Sequence, residues 1–151
     1  MYEWLLLAHA IGAAVLFGGH VYLESLAAAA GRAADDTGYM TVMMKASTAA
    51  ERVMGAASIV TLVFGVWLVF ETSYDFEDLF ITIGFAAIII AFAVSMFLMS
   101  PKMKEISVLV DENGYGDETA MAKMKSVVTL VHVQTLIVAV AFVMMILKPG
   151  I

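Results

Sequence analysis

The sequence predicts an all-α protein: a four-helix transmembrane bundle, up-down-up-down, with both termini external. Three observations lead there. Trp4–Leu23, Val53–Phe70, Leu79–Pro101 and Ser126–Leu147 each lack charge and are mostly apolar. An α-helix needs about 20 such residues to cross the hydrocarbon core. The 151 residues are 62% apolar, with a mean hydropathy of +0.93, where soluble domains lie nearer half apolar. Finally, the basic side chains gather on one side. Arg32, Lys45 and Arg52 lie between or beside spans one and two, and Lys102, Lys104, Lys123 and Lys125 between spans three and four. The opposite side has only Lys148, together with the acidic Glu71–Asp78 loop. By the positive-inside rule the longer loops are cytoplasmic and the termini external.

The elements follow in order. Lipid offers no hydrogen bonds to a bare backbone, so every span is expected to be helical. The first span begins with Glu3 nearby and no Lys or Arg, unlike a signal peptide, and is expected to stay as a membrane helix. Gly31–Gly38 is a predicted break. Met40–Arg52 has a helix-forming composition that leads into span two. Span three reaches Pro101, which is expected to bend or restart the helix, with Lys104–Val110 prolonging it. Asn113-Gly114 and Tyr115-Gly116 mark a second break over Asp111–Thr119 before span four. Residues 1–151 form a single integral membrane domain. The small residues Gly12, Ala13 and Gly19 on helix one, and Gly55, Ala56 and Gly65 on helix two, are expected to mark contact faces. Such faces would also permit a homodimer or a larger complex.

Composition excludes several functions. Without cysteine there is no disulfide, no thiolate ligand and no covalently attached c-type haem. A net charge of −6 does not suit a nucleic-acid partner. The partners expected are the lipid bilayer and a quinone or redox protein.

The chain has three histidines, all inside uncharged spans: His9 and His20 in the first, His132 in the fourth. An ionisable residue in a bilayer is costly and marks a functional site by default. His9 and His20 are eleven residues apart, which returns to the same helix face within about 20° but roughly 16 Å further along. Gly12, Ala13, Leu16 and Gly19 occupy that face between them. His20 and His132 lie on antiparallel helices, each roughly 7 Å to the cytoplasmic side of its span's middle. Two imidazoles at matched depth can clamp one metal, and imidazole suits iron, copper and zinc. An apolar bilayer favours haem b among these. The spacing thus predicts a His20/His132 pair and a separate His9 site, for one or two haems. Glycines at 12 and 19 would leave room for a flat macrocycle. Thr135 is better placed than Gln134 to support His132. No charged residue is expected within the spans to move protons. Twelve methionines, several at helical spacing such as Met96, Met99 and Met103, admit copper handling as an alternative, although methionine is also an adaptable packing residue.

The stretch WLLLAHAIGAAVLFGGHVYL, with Glu51-Arg52 opening helix two, resembles HemJ-type membrane proteins. The terminal Leu147-Lys148-Pro149-Gly150 resembles small four-helix proteins that include copper-resistance D-type domains. The resemblance implies a four-helix fold and haem b bound through a helix-one histidine, here His9. The HemJ-type activity is protoporphyrinogen oxidation. Its motifs depart here: Ile81-Thr82-Ile83-Gly84 replaces a lysine motif, and His132-Val133-Gln134-Thr135 replaces an Asn-Glu-x-Pro-like motif. Fold and haem binding are therefore the implied properties rather than that activity. The expected function is electron transfer in the cytoplasmic membrane, as a standalone oxidoreductase linked to quinone or oxygen or as a subunit of a redox complex. A non-catalytic accessory subunit is the other alternative.

Overall fold

The computed structural model describes residues 1–33 and 35–149. Ala34, in the predicted break Gly31–Gly38, and Gly150, in the terminal motif, lie outside the described residues, as does Ile151. Helix α1 spans Tyr2–Ala33, α2 Asp36–Glu71, α3 Leu79–Val94, α4 Ser100–Asn113 and α5 Glu118–Leu147. A π-turn at Ser95–Met99 joins α3 to α4 as one rod, and the described residues contain no strand. The four rods are each long and apolar enough to cross a membrane. The predicted all-α, four-span architecture is therefore the observed one. The termini and the 72–78 loop share one end of the bundle, called here the acidic end; the other two connections form the basic end.

Local chemistry sets the breaks. The alanine-rich Ala27–Ala30 favours helix, so α1 runs on through Ala33 and the predicted eight-residue break shrinks. Asp35 caps α2 by accepting from the Gly38 N–H at 2.8 Å. Asp117 caps α5 in the same way, from Ala120 at 2.7 Å. Gly114 closes α4 at φ 85°, a conformation glycine takes without strain. Pro101 does not stop the third rod. It removes one N–H from the helical ladder, and the π-turn just upstream takes up the mismatch.

Each rod exceeds the hydrocarbon thickness. The 32 residues of α1 alone cover about 48 Å, against roughly 30 Å for the core of a bilayer. The excess emerges at the basic end and holds the largest buried cluster. Met40, Ile106, Ala120 and Met124 are fully buried there, with Ala27, Met43, Val110, Met121 and Val127 beside them. Met44, Met99 and Met103 pack against the same cluster. These methionines thus fill a core where water supplies a hydrophobic driving force. Met96, by contrast, is exposed.

Inside the membrane region packing is looser, and many large apolar side chains such as Ile59, Ile89, Leu136 and Ile146 face outward. Helix α1 packs chiefly on α2, the third rod on α5, and α1 on α5. Phe17 and Phe142 stack at 5.2 Å across α1 and α5. Not every predicted small-residue contact forms. Gly12 is buried against α2, where a Cβ would come within 2.6 Å of Thr61 Oγ1 and 3.0 Å of the Thr61 nitrogen. Gly19 faces the flexible Met54 side chain, and Gly65 faces the His9 ring. Gly55 has open space around it and Ala56 is exposed, because that side of α2 points away from α1.

Gly12→Ala should therefore lower stability by about 1–3 kcal/mol through overpacking against backbone. Gly18→Ala, with nothing within 4 Å, should be neutral or gain up to about 1 kcal/mol of helix propensity. Unfolding midpoints in one detergent compare the two; equal behaviour would contradict the close α1–α2 approach.

Candidate functional site

The three histidines fall into two different surroundings. Near the acidic end, His9 leans from α1 onto α2, and its Nδ1 lies 2.8 Å from the Thr61 carbonyl oxygen. A carbonyl only accepts, so Nδ1 carries the hydrogen and Nε2 holds the lone pair. Nε2 has no hydrogen-bond partner among the described residues. The ring rests on Gly65, where a Cβ would sit 3.0 Å from Cε1 and 3.1 Å from Nδ1. The Thr61 carbonyl accepts through its second lone pair, and the Thr61 hydroxyl donates separately to the Ala57 carbonyl at 2.8 Å.

His9 forms part of the wall of a cavity of about 530 Å³. All four rods contribute to it. Small residues open the space: Ala10 and Ala13 from α1, Gly65 from α2, Gly84 and Ala87 from α3, and Ala141 from α5. Larger apolar groups, among them Leu16, Val69, Phe80, Val138 and Phe142, close it round. Met145 reaches over Gly84, so that a Cβ there would meet the Met145 methyl. The few polar members of the lining are His9, Thr61, Thr72, Tyr2, Tyr74 and Lys148. A mostly apolar concavity with a few convergent polar groups is the usual form of a ligand site.

The second surrounding lies toward the basic end. His20 is buried, and its Nδ1 donates to the Leu16 carbonyl of its own helix at 2.9 Å. As for His9, the Nδ1–H is thereby spent on a backbone carbonyl and Nε2 holds the lone pair. Gln134 is itself buried and donates from Nε2 to the Ala91 carbonyl at 2.7 Å and to Ser95 Oγ at 2.9 Å. It therefore ties α5 to the third rod, at the end of α3 and the start of the π-turn. An amide in hydrocarbon needs such partners, since an unsatisfied polar group there costs several kcal/mol.

His132 is half exposed and sits 3.2 Å from Glu24 Oε1 through Nδ1. The Thr135 hydroxyl lies beside the same carboxylate and 2.9 Å from the Val131 carbonyl. Glu24 is thus brought to His132. Just past the uncharged stretch Trp4–Leu23, α1 runs on without interruption and delivers Glu24 one turn beyond His20. That i, i+4 spacing was the available signal. Gln134, set aside on its angle from His132, instead serves Ala91 and Ser95 on the third rod. Neither His20 nor His132 lines the 530 Å³ cavity. Of the other predicted site residues, Gly12 meets Thr61 and Gly19 meets Met54. Among the described residues no group of three His, Asp or Glu side chains is arranged to hold a metal ion.

A family model described as predicted integral membrane protein, DUF2269, matches residues 3–149. The chain belongs to this family and is a multi-pass integral membrane protein. No curated protein and no solved structure gave a match.

Gln134→Leu keeps the volume of the side chain but deletes its bonds to Ala91 and Ser95. It should cost about 1–3 kcal/mol of stability, measured by unfolding in detergent. Unchanged stability would mean that the junction of α5 with the third rod does not depend on this amide.

Proposed function

We propose that this family member binds one haem b in the cavity at the acidic end, with His9 as an iron ligand, and transfers electrons in the cytoplasmic membrane. The observation that carries this is His9 itself. Its Nδ1–H is fixed by a backbone carbonyl, its Nε2 is free of protein partners, and it stands in the wall of an apolar cavity of ligand size. A glycine rather than a side chain lies against the ring, so its position is set by helix contact. Met145 brings a thioether to the same cavity and is the candidate second ligand. Haem would supply one-electron chemistry, and the residues that hold its iron would tune the potential. The protein's own part is to fix the imidazole and to exclude water with the surrounding apolar side chains. The resemblance of Trp4–Leu23 to HemJ-type proteins points to the same histidine.

A haem held by His20 and His132 is the other arrangement expected from the sequence. It would have to draw His132 away from Glu24, and neither His20 nor His132 lines the apolar cavity, so the iron is assigned to His9. The lysine and Asn-Glu-x-Pro-like motifs of protoporphyrinogen oxidation are missing. Electron transfer to a quinone, to oxygen or to a partner in a redox complex is therefore preferred over chemistry at a carbon centre.

Protein expressed with ample haem supply and purified in mild detergent should show a Soret band and about one b-type haem per chain by pyridine haemochrome. His9→Ala should abolish or convert that spectrum, while His132→Ala should leave it in place. A colourless protein that takes up no added haem would refute the assignment. A spectrum lost in His132→Ala and kept in His9→Ala would transfer the iron to the other pair.

A further inference from the structure

The mouth of the cavity carries a cation that its surroundings do not explain. Lys148 is the only basic side chain at the acidic end; the other seven Lys and Arg residues lie toward the basic end. It terminates α5 in a left-handed turn at φ 42° and ψ 57°. The side chain is half-buried and folds back over the cavity rim. Its Nζ donates to the Tyr74 hydroxyl at 3.0 Å and lies 4.8 Å from the Tyr74 ring centre and 5.9 Å from that of Phe80. Among the described residues no carboxylate is within ion-pairing distance of it, despite the acidic loop close by in sequence. Lys148, Tyr74 and Phe80 all line the cavity.

Donor arithmetic shows what this corner lacks. An ammonium has three N–H donors, and Tyr74 takes one. The Tyr74 oxygen accepts that bond and keeps its own O–H to give. Among the described residues, two N–H groups and one O–H thus remain beside an apolar cavity, with the positive charge held by aromatic faces and no carboxylate paired to it. Charge-assisted bonds to an anion would satisfy all of them.

We propose that Lys148 and Tyr74 form a carboxylate clamp, and that the cavity takes a ligand with an apolar body and an acidic head. This rests on the preceding section for the cavity as a ligand site, and not for haem as its occupant. The carboxylate could belong to a haem propionate or to a fatty acid entering from the bilayer.

The test uses delipidated, detergent-solubilised full-length protein and two probe pairs: haemin with its dimethyl ester, and the fluorescent fatty acid cis-parinaric acid with its methyl ester. At least one acid should bind about tenfold more tightly than its ester. Lys148→Gln should erase that preference without weakening the ester, and Lys148→Arg should keep it. Preference in the haemin pair alone identifies the propionate; preference in the parinarate pair alone identifies a lipid acid. His9→Ala should weaken haemin and its ester together and leave any acid preference for parinarate intact, so failure of the iron assignment is read separately. Equal binding of acid and ester in both pairs, equal weakening of both by Lys148→Gln, or no binding of either acid would overturn the clamp.

Discussion

Thr61 is where the acidic half of the bundle is pinned together. Its backbone and hydroxyl lie against Gly12, its hydroxyl returns to Ala57, and its carbonyl receives the His9 Nδ1–H. In hydrocarbon there is little hydrophobic drive between helices, so close contact and hydrogen bonds must hold them. The approach of α1 to α2 is close because Gly12 and Gly65 present no side chains at this level. Once it is made, the His9 ring has one position, one tautomer and one open nitrogen. The place of the imidazole in the cavity wall follows from that contact.

Water divides the molecule into two regimes. At the basic end the helices leave the membrane, and burial of Met40, Ile106 and Met124 follows the rules of a soluble core. Within the membrane region small clusters such as Leu16, Ala57 and Val138 suffice, and space is left between α2 and α3. The tight end fixes the relative placement of the rods. The loose end is then free to keep a cavity open, which a fully packed interior would not tolerate. Gln134 holds the boundary between the two by binding the π-turn region of the third rod, where Pro101 disturbs the regular ladder.

Much of this was legible in the sequence. Four uncharged runs gave the rods, and Asn113-Gly114 gave the sharpest break, because hydropathy and turn chemistry are local. The face shared by Gly12 and His9 was also legible, since helical periodicity is rigid over three residues. What escaped depended on partners across the bundle. Gly55 resembled Gly65 in composition but points away from α1, a distinction set by helix rotation. Glu24 looked like a residue beyond the span, yet helical continuity carries it to His132. Lys148 read as an orientation marker; only the fold places it on Tyr74 and over a cavity. The methionine stripe read chiefly as packing, with copper ligands as the alternative, and Met99 and Met103 do pack against the basic-end cluster.

The central claim is that His9 offers a free Nε2 lone pair to the cavity. Solid-state or detergent-micelle NMR with 15N-labelled histidine measures it directly, with His9→Gln identifying the resonances. The account predicts an Nδ1-protonated His9 whose Nε2 resonance has an unprotonated shift and moves or broadens on adding haem. An Nε2-protonated His9, or an Nε2 resonance indifferent to haem, would contradict it.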